Sequence, residues 1–488
     1  MLRRPGLSAP TFYTVAKGRV YAAPGLAPLV GLLGRRPSPC IDRLAALISL
    51  TAPNDPSSTA YEGIYRVPTH GQVRVWPDGR RQGTVVARSL SPNDGITVQE
   101  AAREIRTGVF RAISRHTEGK RRVAVLVGGG VDSSAILAST LAATRGASRV
   151  EVDAIALHFA SEGDDRPYMR DLVRALGIVP IQVAPASGGA LVRRMLVLDS
   201  APYTWPNAAC EAAMLLAARE QGAEIALGGM GGDDLFDGNP ANLAKRAREG
   251  DALGALRDAV ALRVPWREPG VAQAWDFVLR PLLVGGLPHS VRRQWRRIRR
   301  KKGTPWAGPA LRAFFERHVD RPELGTESAS ERYARFVTLP YLMEVIDMRA
   351  QLHAGLGIAR ADPLLDDELI EFVSRLPPSL LLHGGRMRGL FRTAMQGLVP
   401  DSVRLRTDKA AFEPAMADAV RASGGFAALK DLVGMRNLRR VGLVETGAYR
   451  SAFDALAADP EGWGEGWLQV WPALAVETFL AGEEGLKC

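Results

Sequence analysis

Two hydrophobic periodicities divide the chain. Ahead of Asn93, apolar and polar positions alternate in short runs: FYTVAKGRVYAAP reads as a hairpin and YEGIYRVPTHGQVRVWPDGR as strands joined by a PDG turn. CIDRLAALISL, between them, is a short amphipathic helix. From Thr97 the pattern changes. Thr97 to His116 reads as a helix, Val123 to Val127 as a short apolar strand, and a helix follows from Asp132 to about Arg145. VDAIALHF, IVPIQVAP and EIALGG are further strands, with RPYMRDLVRALG and AACEAAMLLAAREQG as the helices between them. Strands separated by helices of this length predict a parallel sheet, so the fold class is α/β with a helical C-terminal part. No internal repeat or low-complexity linker interrupts it.

Ligands of such sheets sit beyond the strand C-terminal ends. Two loops fall there, VGGGVDSS (127–134) and GGMGGDDLFDG (228–238). In the first, consecutive glycines let backbone N–H groups approach an anion, and the following helix N-terminus adds favourable potential. Ser133 and Ser134 supply hydroxyl donors, whereas Asp132 repels a bare phosphate unless a divalent cation lies between them. A magnesium nucleotide satisfies all of these residues; for the glycine triplet alone, the alternative is that Asp132 or Ser133 caps a helix in an ordinary βα turn. No GK[ST] ending and no GxGxxG with an acidic ribose ligand occurs, which argues against γ-phosphoryl transfer.

Composition narrows the class. In 488 residues there is room for two or three cored domains, and no window reaches the ~18 apolar residues of a membrane span. Neither a signal peptide nor a membrane partner is expected, and the expected location is cytoplasmic. Cys40, Cys210 and Cys488 are too scattered for metal or redox pairs. Much of the net charge of +11 is concentrated in SVRRQWRRIRRKKG (290–303), read as a solvated face ahead of a docking patch, so nucleic acid is not an expected partner. An RNA-thiolating ATP-pyrophosphatase would need cysteine pairs that this chain lacks.

The two glycine-aspartate loops together resemble the ATP-pyrophosphatase domain of the asparagine synthetase family. DPLLDDELIEFVSRLPPSLL is similar to that family's PFLD segment, and RMRGLFRTAMQGLVPDSVRLRTDKAAF to its stretch of basic residues with a closing Arg and Lys. TAYEGIYRVPTHGQVRVWPDG resembles the end of its glutaminase-like domain. The resemblance implies ATP-dependent activation of a carboxylate as an acyl-adenylate, with pyrophosphate and AMP released and an amide formed. By position it places Val127, Gly128, Gly129 and Gly130 on phosphate and adenosine, Ser133 and Ser134 on pyrophosphate, and Leu157 and Gly229 on adenine and ribose. Asp132 and Asp233 match magnesium ligands, and Arg388 and Lys409 match cations facing pyrophosphate and the acylation step.

Departures from the family pattern shape the expected substrate. Gly128 replaces a serine, Asp234 a glutamate and Ala359 the glutamate of a Gly-Ile-Glu pattern, while Met230 stands where β-lactam synthetases carry a catalytic tyrosine. Glu344 and Asp347, on the helical LPYLMEVIDMRAQLHAG, are the best-placed acids for a general base. Leu2 follows Met1 where glutamine-hydrolysing relatives carry the nucleophilic cysteine. The expected organisation is therefore a degenerate glutaminase-like domain over 1–95 and an amide-forming domain over 96–488, with a helical, basic insertion at 240–335. An amine supplied by the substrate itself points to the lasso peptide cyclases, which join an Asp or Glu side chain of a precursor peptide to its N-terminus. The resemblance implies a leader peptidase and a leader-binding protein as pathway partners. VPWREP, the basic run and TPWAGPALRAFFERH are expected to give aromatic and cationic surface for the peptide. A small-molecule amide or β-lactam synthetase is the alternative.

Overall fold

A computed structural model of the chain describes residues 10–482 apart from 86–87, 146–149, 161–164, 239, 249, 265–268, 286–303, 318–326, 409 and 463–464. The N-terminal part is β-rich, as its alternation predicts. β1 (Phe12–Ala16) pairs antiparallel with β2 (Arg19–Ala23) and with β3 (Ile64–Arg66), and β4 (Gly71–Val75) forms a hairpin with β5 (Arg81–Val85). Helices α1 (Leu26–Leu32) and α2 (Ile41–Ser49) connect β2 to β3.

Helix α3 (Val98–Thr117) starts at a capping box: the Glu100 N–H donates to Thr97 Oγ1 at 3.3 Å and the Thr97 N–H donates to Glu100 Oε2 at 2.9 Å. It leads into β6 (Arg122–Val127), the central strand of a five-stranded parallel sheet. After β6 come α4 (Val131–Thr144), β7 (Glu151–Leu157), α5 (Arg166–Leu176) and β8 (Ile181–Val183). A two-residue hairpin, β9 (Val197–Leu198) with β10 (Ala201–Pro202), precedes α6 (Ala208–Glu220), β11 (Ile225–Leu227), the short α7 (Gly232–Leu235) and finally β12 (Ala359–Ala361). The strand order is β12-β11-β6-β7-β8, so the chain builds outward from β6 in one direction and then returns to β6's other edge. Neighbouring strands whose following loops diverge leave a crevice between them, and here that crevice lies between β6 and β11.

The sheet is a partition between two cores. Val123, Val125 and Val127 of β6 pack with Ile105 of α3 and Ile136 of α4, whereas Ala124 and Leu126 pack with Ala212 and Leu215 of α6. β7 and β11 alternate the same way, Ile155 and Ala226 to the second core and Ala154 and Ile225 to the first. A strand covered on both faces needs an unbroken apolar run, which is why β6 shows no polar alternation. The N-terminal segment shares the second core: Phe12, Leu44 and Ile64 lie in one cluster with Trp471 and Phe479 of the C-terminal helix Gly466–Ala481.

Between 240 and 335 the described residues are mostly helical, and Leu243, Ala255, Ala259 and Val278 form a small core with Leu382 and Met387. The expected peptide surface in TPWAGPALRAFFERH is corrected here: Trp306, Leu311 and Phe314 are fully buried in the large core, because folding a helix against it removes their apolar area from water. Most of VPWREP and the whole basic run lie outside the described residues. Among the described residues no helix is long and apolar enough to cross a membrane.

Candidate functional site

A cleft of about 400 Å³ opens where β6 and β11 end, and both glycine loops line it. Glycine is required where the loops touch. A Cβ on Gly229 would lie 2.8 Å from Ser133 N and 3.0 Å from Asp132 C, and one on Gly232 would lie 2.5 Å from Asp132 Cγ. Gly231, at φ 89°, turns the second loop in the left-handed region and rests on Leu365. Side chains at these positions would force the loops apart, so the glycines bring the two aspartates together.

Arg388 joins those aspartates. Its Nη1 donates to Asp132 Oδ2 at 2.7 Å and its Nη2 lies 2.9 Å from Asp233 Oδ1. Burial works to lower its pKa, but Asp132, Asp233 and Asp237 outweigh burial and hold the guanidinium above its ordinary value. The residue sits at φ 57°, ahead of the helix Gly389–Ala394, a left-handed conformation costing a side chain on the order of 1 kcal/mol. Two carboxylates converging on one cation are the oxygen donors a magnesium ion takes. Among the described residues no cluster of three or more His, Cys, Asp or Glu forms a metal cage.

The first loop is held by its own serines. Gly128 N–H donates to Ser133 Oγ at 3.1 Å, and Ser134 Oγ donates to Gly128 O at 3.2 Å. Ser134 is fully buried and shapes the loop, while Ser133 lines the cleft. Gly129 N–H donates to Asp165 Oδ2 at 2.9 Å, and Asp165 in turn pairs with Arg406. Arg406 Nη1 also donates to Gly129 O at 3.2 Å, and its guanidinium stacks 3.9 Å from the Tyr168 ring centre. Val127, Leu157 and Gly229, placed on the nucleotide by the resemblance, line the cleft together with Met230, and Phe159, Trp205, Phe412 and Met416 extend an apolar wall. Lys409 lies outside the described residues; Asp408 and Ala410, on either side of it, line the cleft.

The structure does not bring Glu344 and Asp347 to the cleft. Arg66 Nη1 lies 3.1 Å from both Glu344 Oε2 and Asp347 Oδ2, and Arg43 pairs with Glu344 as well. They fasten the helix Pro340–Gly355 to β3 and α2, and neither is among the residues that line the cleft.

Sequence reasoning missed an acid that does line the cleft, Glu211 of α6. Its Oε1 accepts from Arg349 Nε at 2.6 Å and lies 3.9 Å from His353 Nε2. Arg349 in turn lies 3.7 Å from Asp362, which pairs with Arg360, and both arginines donate to Met230 Sδ. Burial would raise the Glu211 pKa, but Arg349 and then His353 reverse this and bring it down to about 2. One glutamate in an otherwise apolar helix, AACEAAMLLAA, was the available signal. Asp165, Arg392 and Arg406 were also missed, though each lies within or beside a quoted motif.

The model of the family described as asparagine synthase matches residues 104–481. "Asparagine synthetase [glutamine-hydrolyzing] 3" of Bacillus subtilis (strain 168) is 25% identical over 84 residues, which cover 17% of this chain and 14% of that relative. Among solved structures, the U34-tRNA thiolase NcsA from Methanococcus maripaludis with its [4Fe-4S] cluster superposes with a TM-score of 0.22 at 13% identity, covering 46% of this chain and 81% of that one. An overlap that loose carries no argument.

Proposed function

This chain belongs to the asparagine synthase family, and we propose that it is a carbon–nitrogen ligase that adenylates a carboxylate with ATP and passes the acyl group to an amine. The observation that carries this reading is the meeting of Asp132 and Asp233 on Arg388, at the mouths of two adjacent glycine loops.

The apolar wall takes the base, and the N–H groups of Gly128–Gly130 with the start of α4 take phosphate oxygens. Asp132 and Asp233 would hold magnesium, which neutralises pyrophosphate as that group departs. A substrate carboxylate oxygen attacks the α-phosphorus, the bond from phosphorus to the bridging oxygen breaks, and pyrophosphate leaves with the electron pair. The amine nitrogen then attacks the acyl carbon, the bond to the AMP oxygen breaks, and the nitrogen's proton leaves to solvent. Arg388, Arg392 and Arg406 supply fixed positive charge where negative charge develops, and Lys409 is assigned to the same region by its motif. Cys210 is no nucleophile, since burial pushes its thiol up to about 12.

For acyl donor and amine we propose one precursor peptide, an Asp or Glu side chain joined to the peptide's own N-terminus as a macrolactam. Met230 and Gly128, which line the cleft, and Ala359, at the start of β12, support this by departing from the asparagine and β-lactam patterns. The domain division at about residue 95, and the helper proteins that prepare the peptide, belong to this proposal. The test is incubation of the chain with ATP, magnesium and a leaderless candidate peptide carrying an acidic residue. AMP and pyrophosphate release with loss of one water from the peptide is expected; ADP release, or an unchanged peptide mass, overturns the reading. AMP release with free aspartate in place of a peptide would move the substrate to the small-molecule alternative.

A further inference from the structure

Five described carboxylates line the cleft, and four have assignments: Asp132 and Asp233 bind Arg388 and match the magnesium ligands, while Asp165 and Asp408 bind Arg406. Glu211 remains. It lies one helical turn beyond Asn207, and its N–H donates to Asn207 O at 3.0 Å, so the two side chains rise from one face of the start of α6. Asn207 also lines the cleft, and its buried Oδ1 meets no hydrogen-bond donor among the described residues. On Glu211 the hydrogen bond from Arg349 falls on Oε1, and among the described residues none falls on Oε2. The cleft therefore presents two neighbouring acceptors, one neutral and one anionic, with no donor filling either. A buried acceptor left without a partner costs free energy unless a ligand supplies the donor.

The position lies beside the second glycine loop. Arg349, the partner of Glu211, approaches Gly228 and donates to Met230 Sδ, on the same loop whose Gly229 and Gly232 press on Asp132. A primary ammonium has three donors and no acceptor, which is the complement of this pair. Arg349, Arg360, Glu211 and Asp362 balance in charge, so the group that enters meets no uncompensated cation.

We propose that Glu211 Oε2 and Asn207 Oδ1 form the subsite that receives the acceptor amine as its ammonium, holding it beside the acyl-adenylate. This rests on the ligase reading above and adds which residues select the acceptor: a primary amine that binds as its ammonium, here the peptide N-terminus, and gives up one proton to solvent before its nitrogen attacks and a second as the amide forms. Glu211 acts as a positioning residue that sets acceptor binding, and adenylation of the carboxylate does not depend on it.

The experiment is peptide-dependent exchange of pyrophosphate into ATP, measured with one peptide in two forms, free and acetylated at its N-terminus. Wild type should need on the order of tenfold more acetylated than free peptide for half-saturation, with similar rates at saturation. In Glu211→Gln that discrimination should disappear, the free peptide now behaving as the acetylated one does. Equal half-saturation for the two peptides in wild type overturns the inference, and so does undiminished discrimination in the variant. A Glu211→Gln chain that loses exchange at saturating peptide also overturns it, because Glu211 would then serve the acyl donor. Should that variant not fold, Asn207→Ala takes its place, and unchanged discrimination there is an overturning result. Exchange with neither peptide in wild type overturns the ligase reading itself, an outcome recognisably different from exchange without discrimination.

Discussion

Two clusters in this molecule are chemically alike, each an arginine set between two carboxylates. At the cleft, Arg388 meets Asp132 and Asp233; at the seam between the N-terminal strands and the helix Pro340–Gly355, Arg66 meets Glu344 and Asp347. Their surroundings differ. The Asp233 side chain is 54% exposed and borders a cleft of about 400 Å³, whereas the Asp347 side chain is 6% exposed and borders a cavity of about 30 Å³, room for little more than a water molecule. The arginines respond accordingly. Carboxylates prevail over burial at Arg388 and hold its pKa up, while at Arg43, beside Arg66 in the seam, burial and then the Arg66 charge push the pKa well down. Charge pairing marks both clusters, but access separates one that borders an open cleft from one that fastens elements together.

The sharpest way to break this contrast is to remove one carboxylate from each cluster. Asp132→Ala should lower AMP-forming turnover on the order of a hundredfold or more, with its melting midpoint within a few degrees of wild type. Retained turnover would sink the assignment of Asp132 to phosphate and metal. Gly229→Ala should lower turnover by about tenfold, since its Cβ would press on the Ser133 and Asp132 backbone and strain of about 1–3 kcal/mol must separate the loops. Normal kinetics in that variant would show that the loops need not touch. Glu344→Ala should do the reverse of Asp132→Ala: it leaves Arg43 and Arg66 short of a partner, lowers stability by about 3 kcal/mol in urea unfolding, and leaves kcat within about twofold. A large kcat loss at wild-type stability would return Glu344 to the role of base.

The contrast also explains what could be read along the chain. β6, β7, β8 and β11, with the helices between them, follow from apolar runs and stop signals because those signals are local. β12 escapes that reading: Ala359-Arg360-Ala361 is short and carries an arginine, and it is a strand because it pairs with β11 and because Asp362 neutralises Arg360. Asp132 and Asp233 were legible because the glycines that bring them together lie beside them in sequence. Glu344, Asp347 and Glu211 were not separable by the same means. Each is an acid on an apolar helix, and whether it faces Arg66 or the cleft depends on chain hundreds of residues away. Trp306 and Phe314 failed for a related reason, since an aromatic next to charges is surface or core according to which elements cover it.

A third arginine–carboxylate pair lies between the two extremes and gives the smallest predicted effect. Asp165 pairs with Arg406 and accepts from the Gly129 N–H, so a carboxylate of the chain itself takes an amide of the glycine loop. Arg406 is simultaneously tied to Gly129 O and stacked on Tyr168, which keeps it in place when Asp165 lets go. On the nucleotide-binding reading proposed above, a phosphate displaces Asp165 and inherits both the amide and the guanidinium. Asp165→Asn should then weaken the competitor without removing the donors, and the concentration of ATP for half-saturation should fall roughly two- to tenfold, the worth of about 0.5–1.5 kcal/mol in one hydrogen bond. A nucleotide titration on both chains decides the point. A half-saturation that rises instead places Asp165 among the groups holding the loop in shape, and the pair then belongs with Arg66, Glu344 and Asp347 as a fastening.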